Sequence, residues 1–211
     1  MLYLFVHTNN NYEEGEYMKT LVILGHLDYS KSKVNKRLAE ELRECNEVTL
    51  HNLNEEYPDE NINKDKEQKL LLEYDRIIFQ FPFYWYSTPH ILKKWQDVVL
   101  EYGWAFGPNG TALKGKEFLC AITIGGPEDS YQSGGYNNYS ISELLKPIQQ
   151  MANLTGMKFL APFKIHSSVV LTEEQLEIKA KEYPKYILNP ELNPEVALER
   201  IKKELENNGG L

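Results

Sequence analysis

The sequence predicts an α/β protein, a five-stranded parallel sheet covered by helices on both faces. Two observations carry this. Short apolar runs alternate along the chain with longer stretches of helical spacing. The runs are apolar at successive positions, not at every second one, which marks strands buried on both sides. No internal repeat or linker-like composition breaks the order, so residues 18–211 read as one domain. Residues 1–17 turn polar before the first strand and are expected to form an N-terminal extension outside it.

The elements follow in order. TLVILG (Thr20–Gly25) is a continuous apolar run ending in glycine. KVNKRLAEELRE then sets Val34, Leu38 and Leu42 at four-residue spacing, a helix with one apolar face. EVTLHNL (Glu47–Leu53) reads as a strand, DKEQKLLLEY as a helix and RIIFQFP (Arg76–Pro82) as another buried strand. In PHILKKWQDVVLEYG, Pro89 falls in the first helical turn, where its missing N–H costs nothing. Ile91, Leu92, Trp95, Val98 and Val99 make the inward stripe of that helix. EFLCAITIGG (Glu117–Gly126) is the fourth strand, ISELLKPIQQMANLTG a helix and KFLAPFKIHS the fifth strand. TEEQLEIKAKEYPKYI and NPEVALERIKKELENN close the chain as helices.

In an open sheet of this kind, ligands bind beyond the carboxyl ends of the strands, where strand order reverses. Three loops with unusual chemistry leave those ends. GHLDYSKSKVN (Gly25–Asn35) runs from strand to helix with His26, Ser30, Ser32 and Asn35, and hydroxyls and N–H groups at a helix start suit an anion such as phosphate. Pro82, Phe83, Tyr84, Trp85 and Tyr86 place four consecutive aromatics where strand becomes helix. Their rings can flank a flat ligand while main-chain N–H groups near Trp85 address its polar edge. Thr123, Ile124, Gly125 and Gly126 end the fourth strand, and the paired glycines let a ligand approach the backbone. Tyr131 follows within reach of the same ligand. Each loop alone has a plain reading: Ser30 or Ser32 as an N-cap, an aromatic cluster over the sheet end, a simple turn. Together they offer an anion pocket, an aromatic slot and a donor pair, the shape of a flavin mononucleotide.

Other chemistries find no support. The net charge of −8 argues against non-specific nucleic-acid binding. Cys45 and Cys120 form no CxxC, and no basic region precedes the short apolar start, so a cytoplasmic protein with reduced thiols is expected. GTALKGKE resembles a phosphate-binding loop, but Glu117 stands where Ser or Thr should hold magnesium, and the segment precedes a strand instead of following one. His7, His51 and His90 show no metal-ligand spacing, and His166 reads as a hydrogen-bonded structural residue.

The motifs GHLDYSKSKVN, QFPFYWYSTPHILKKWQDVVLEYGWAFG, TALKGK, TIGGPEDSY and APFKIHS span about Thr20 to Ser168. On them the sequence resembles the flavodoxin-like NAD(P)H:quinone oxidoreductase family. The bacterial branch it resembles includes the ancillary oxidoreductases of the glutathione-gated potassium efflux systems and the related general stress proteins. The resemblance implies a flavodoxin-like doubly wound sheet of order 2-1-3-4-5. It implies two-electron reduction of quinones or related electrophiles by NADH or NADPH, in a ping-pong cycle through a bound flavin. It implies His26, Ser32, Val34 and Asn35 around the phosphate and ribityl chain, and Pro82, Phe83, Tyr84, Trp85 and Tyr86 around the ring. Thr123, Ile124, Gly125 and Gly126 fall at the ring's N1–O2 side, with Tyr131 as the catalytic residue. Where mammalian relatives pair that tyrosine with a histidine six residues later, this chain carries Asn137, so a Tyr–His relay is not carried over. The short acidic segment NEEYPDENINKDK offers little to an adenosine diphosphate, which favours FMN over FAD. The resemblance also implies a homodimer. Two alternatives remain: an ancillary subunit of a membrane potassium antiporter, placed at the inner face of the membrane, or an electron carrier with no nicotinamide reaction of its own.

Overall fold

The structure, a computed structural model, describes residues 18–207. The extension expected at residues 1–17 lies outside the described residues. The strands are β1 (Thr20–Leu24), β2 (Val48–Asn52), β3 (Arg76–Pro82), β4 (Glu117–Thr123), β5 (Lys158–Phe159) and β6 (Phe163–Ile165). The helices are α1 (Val34–Leu42), α2 (Leu53–Glu56), α3 (Lys64–Leu72), α4 (His90–Val99), α5 (Ile141–Leu144), α6 (Lys146–Leu154), α7 (Glu173–Ile187) and α8 (Pro194–Asn207).

All strand pairs are parallel, in the order β2-β1-β3-β4-β5, with β6 also on β4. The chain therefore moves one way from β1 to β2 and the other way from β1 through β3 to β4. The reversal lies between the carboxyl ends of β1 and β3. Alternate strand residues feed two cores. Leu21, Ile23, Ile77, Phe79, Phe118 and Cys120 face one layer, packed with Ile91, Leu92, Trp95 and Val99 of α4. Val22, Ile78, Leu119 and Ala121 face the other, with Val34 and Leu38 of α1 and Leu176, Ala180 and Tyr183 of α7. Each such buried side chain contributes about 1.5–3 kcal/mol, which is why continuous apolar runs read correctly as strands.

Three elements differ from the sequence expectation. The fifth strand is split. Leu160 still donates its N–H to the Phe118 carbonyl at 2.8 Å, but Pro162 has no N–H for the ladder, and pairing resumes only at Phe163. The helix expected over 141–156 also divides, because Leu145 relaxes to ψ 0° and Pro147 starts α6 without needing a donor. The short α2 was not anticipated. It follows β2 directly, with the Asn52 side chain accepting from the Asn54 N–H.

Two buried charges fix the layers. Arg76 is fully buried at the start of β3. It donates to the Glu117 carboxylate at 2.8 Å and to the carbonyls of Ile187 and Asn189, which pins the end of α7 to the sheet. Glu67 of α3 is equally buried. Its carboxylate accepts from Tyr57 Oη at 2.6 Å and Trp95 Nε1 at 2.7 Å, and lies 2.9 Å from His51 Nε2. Desolvation pushes the Glu67 pKa up, but the His51, Tyr57 and Trp95 contacts outweigh it and the net direction is down. A depressed carboxylate stabilises the fold above its unfolded-state pKa, and that contribution is lost as pH falls through the folded value. Glu67→Leu strands three polar groups and is expected to cost about 3–5 kcal/mol at neutral pH. Urea unfolding of the two proteins should show that gap narrowing toward acid, where the wild-type carboxylate protonates. A gap independent of pH would contradict the account of a buried, hydrogen-bonded carboxylate.

Candidate functional site

A cleft of about 780 Å³ opens at the carboxyl ends of β1, β3 and β4, where the strand order reverses. Of the residues expected at a ligand, His26, Ser32, Val34, Asn35, Pro82, Phe83, Tyr84, Trp85, Tyr86, Thr123, Gly125, Gly126 and Tyr131 line it.

Ile124 does not. Its side chain is buried in the core. Its N–H donates to the Ile165 carbonyl at 2.8 Å, and its carbonyl accepts from Ser168 N–H at 2.9 Å. Strand alternation turns its side chain away from the cleft, and both its backbone groups are bonded within the protein, so of its loop only Thr123, Gly125 and Gly126 line the cleft.

The first loop is shaped by close packing. At Gly25 a Cβ would meet Leu92 Cβ at 3.0 Å, so a side chain there would press on α4. His26 is buried, and Asn54 clasps its backbone, accepting from its N–H at 3.0 Å and donating to its carbonyl at 2.8 Å. His26 Nδ1 accepts the Asp28 N–H at 3.0 Å, which leaves Nε2 as the protonated nitrogen. Burial lowers its pKa against the Asp28 carboxylate, so the ring is neutral at neutral pH. Asp28 pairs with Lys31 Nζ at 2.7 Å and accepts from Ser30 Oγ at 2.6 Å. Those two contacts, Lys31 first, hold its pKa down at about 2.

Neither serine caps α1. Ser30 is engaged with Asp28, no side chain bonds the start of the helix, and Lys33 at the cap position already has helical angles. The first-turn N–H groups of α1 therefore have no partner among the described residues. Asn35, in that turn, is buried. Its Nδ2 donates to Thr123 Oγ1 at 2.9 Å, its carbonyl accepts from Gln80 Nε2 at 2.9 Å, and its Oδ1 has no partner among the described residues.

The aromatic loop is a tight turn from Tyr84 to Ser87, closed by Ser87 N–H on the Tyr84 carbonyl at 3.0 Å. Trp85 and Tyr86 both sit in the left-handed region, at φ +47° and +61°. For residues with a Cβ that costs about 1–2 kcal/mol each. Phe83 anchors the turn through its N–H on the Thr123 carbonyl at 2.9 Å. The amides of Trp85 and Tyr86 donate to no described residue, and the Trp85 side chain is 92% exposed. Tyr86 Oη donates to Asn137 Oδ1 at 3.0 Å, and Asn137 Nδ2 donates to Ser130 Oγ at 2.8 Å. Asn137 thus bridges the second and third loops instead of serving Tyr131. In the third loop, the space where Gly125 would carry a Cβ is open to 4 Å, and the Gly125 and Gly126 amides have no partner among the described residues.

Leu27, Asp28, Lys31, Lys33, Ser168 and Val169 also line the cleft. The sequence reading did not single them out as ligand contacts. The lysines were legible in principle as cations flanking a helix start. Ser168 and Val169 arrive from the loop after β6, and only the folded sheet shows it.

The residues present fit a flavin nucleotide. An uncapped helix start takes an anion. The buried, unpaired Asn35 Oδ1 takes a donor such as a ribityl hydroxyl. The free amides of the aromatic turn and of Gly125–Gly126 take the acceptors of a flat ring that the open space at Gly125 admits. Among the described residues no three His, Cys, Asp or Glu side chains gather to hold a metal, and no helix is long and apolar enough to cross a membrane.

Comparison with known proteins agrees with this geometry. The family model described as Flavodoxin-like fold matches residues 18–187. The uncharacterized NAD(P)H oxidoreductase YdeQ of Bacillus subtilis is 47% identical over 91% of this chain and 98% of its own length. General stress protein 14 of the same organism is 51% identical over 82% of this chain and 99% of its own. The crystal structure of general stress protein 14 from Treponema denticola, in complex with FMN, is 36% identical and superposes with a TM-score of 0.78, covering 81% of this chain and 99% of that one.

The strain in the aromatic turn can be measured in the isolated protein. Trp85→Gly removes a left-handed φ penalty of about 1–2 kcal/mol and adds unfolded-chain entropy of about 0.5–1 kcal/mol. With the indole almost fully exposed, little packing is lost. The unfolding free energy should rise by about 0.5–1 kcal/mol in urea titrations. A fall of more than about 1 kcal/mol would show that Trp85 supports the fold rather than the cleft.

Proposed function

The chain belongs to this flavodoxin-like family, and on that premise we propose that it binds FMN in the cleft and reduces quinones or related electrophiles with NADH or NADPH, in two-electron steps of a ping-pong cycle. The observation that carries the reading is the uncapped α1 N-terminus opening onto the same cleft as the strained aromatic turn. The relatives named NAD(P)H oxidoreductase and the FMN-bound neighbour support it.

FMN, when bound, supplies the hydride chemistry, taking two electrons from a nicotinamide and giving them to the acceptor. The protein supplies positioning and fixed dipoles. The first-turn amides of α1 and Ser32 would hold the phosphate, and Lys33 would add positive charge at that end, where Lys31 is already paired with Asp28. Asn35, locked by Thr123 and Gln80, would offer its unpaired Oδ1 to the ribityl chain. The unpaired amides of Trp85, Tyr86, Gly125 and Gly126 would hold the ring. Donors fixed before the reaction favour charge developing on the ring without reorganising. Tyr131 lines the cleft beside Gly126. Burial raises its pKa, so its hydroxyl stays a proton-bearing donor at neutral pH.

The reading is tested on purified protein by its visible spectrum. Flavin absorbance, FMN released on denaturation, bleaching by NADPH or NADH, and return of colour with a quinone are the expected results. A colourless protein that also takes up no added FMN would overturn the binding site. Bound flavin that neither nicotinamide reduces would leave an electron carrier instead.

A further inference from the structure

Tyr131 has a second neighbour that the proposed chemistry does not use. His166, just past β6, packs against it with ring centroids 5.6 Å apart and planes tilted by 57°. Both imidazole nitrogens of His166 are sealed from solvent, and neither meets full hydrogen-bond geometry with a described residue, the Gly126 backbone alone bearing on the ring. Backbone bonds on both sides hold it in place. Ile124 N–H donates to the Ile165 carbonyl at 2.8 Å, Ser167 N–H to Gly126 at 3.0 Å and Ser168 N–H to Ile124 at 2.9 Å. Ser167 adopts φ +53°, a strained conformation for serine, at the turn that follows the ring. Gly126 leaves room beside Tyr131, since a Cβ there would meet its Cε2 at 3.1 Å.

Leaving a buried polar group unpaired costs about 1–3 kcal/mol. Native proteins rarely leave one so without a use. The hydroxyl-bearing ring packed on His166 is Tyr131, and Tyr131 also lines the cleft. We propose that His166 is the positioning residue for Tyr131: an imidazole nitrogen accepts the Tyr131 hydroxyl when that ring turns from the cleft, so the phenol has two seats, one on His166 and one at the ligand.

The charges around the pair suit this. Burial lowers the His166 pKa, the Glu128 carboxylate and the Gly126 backbone oppose that, and Lys164 adds to it. The net direction is down, so at neutral pH the ring is neutral and keeps an acceptor nitrogen. Burial raises the Tyr131 pKa, and Tyr86 and Tyr136 beside it push the same way, so it stays a donor. Protonating His166 removes the acceptor and abolishes the inner seat. No proton changes hands; a hydrogen bond forms and breaks. The kinetic consequence rests on the proposed reductase activity, whereas the two seats do not.

The test uses the full chain with labelled histidine nitrogens, observed by NMR, with His166 assigned by its loss in His166→Gln. In wild type at neutral pH the His166 ring should be neutral, with its bare nitrogen shielded by a hydrogen bond. Tyr131→Phe should move that nitrogen downfield, toward the value of a free acceptor. In the reductase assay, His166→Phe keeps a ring but no nitrogen and should slow flavin reduction by about 3- to 10-fold, with the flavin Kd within about twofold of wild type. His166→Gln, which keeps an acceptor, should recover most of that loss. His166→Phe should add nothing in a Tyr131→Phe background. An unmoved His166 nitrogen in Tyr131→Phe overturns the proposal, even if His166→Phe fails to fold. A wild-type rate in His166→Phe, or a Gln variant as slow as the Phe variant, overturns it too. A protein that NADPH and NADH both fail to reduce defeats the reductase reading and leaves the nitrogen shift to decide the two seats.

Discussion

A line of buried side-chain hydrogen bonds crosses the sheet and sets where everything at the cleft can be. Tyr183 of α7 donates to Gln80 of β3 at 3.1 Å, Gln80 donates to the Asn35 carbonyl, and Asn35 donates to Thr123 of β4. All four residues are buried. A polar group there that loses its partner forfeits its full desolvation cost, so α1 cannot slide or rotate against the sheet without breaking the line. Its first turn is therefore held at the carboxyl edge with its N–H groups facing outward and uncapped. The same line leaves the buried Asn35 Oδ1 without a partner among the described residues. Rigidity in the core and an unsatisfied helix start at the surface are two results of one constraint.

The aromatic turn depends on the same edge. Two consecutive left-handed residues with side chains are unfavourable alone. They persist because the turn is closed at both ends, by Phe83 on Thr123 and by Ser87 on Tyr84. Tyr86 is tied further through Asn137 to Ser130. As in any turn closed between its first and fourth residues, the central amides, here those of Trp85 and Tyr86, are left without a partner among the described residues. Thr123 joins the two devices, since its side chain accepts from Asn35 and its carbonyl accepts from Phe83.

Much of this was legible in the sequence, for physical reasons. Strands buried on both faces must be apolar at successive positions, so β1, β3 and β4 read directly. Their loops had to carry the chemistry, because a parallel sheet exposes its carboxyl ends. Less legible were features set by single backbone groups. Pro162 splits the fifth strand and Pro147 the helix before it, yet neighbouring apolar residues keep the pattern continuous. Ile124 sits within a ligand loop by sequence, and only strand alternation shows that it points into the core. Asn35 was visible as a polar residue at a helix start, but its partner Thr123 lies 88 positions away. The Tyr86–Asn137 bridge and the unpaired His166 were equally invisible, since each depends on loops meeting across the sheet.

The uncapped start of α1, fixed by the Asn35 line, is the anion site proposed for a flavin's phosphate. Titrating the apoprotein with FMN and with riboflavin tests it most directly, because the two ligands share a ring and ribityl chain and differ only in the phosphate. Several charge-assisted hydrogen bonds should make FMN bind about 100-fold more tightly than riboflavin, a difference of about 2.7 kcal/mol. Raised ionic strength should erode that advantage. Equal affinity for the two ligands would contradict the claim and place the binding energy in the aromatic turn alone.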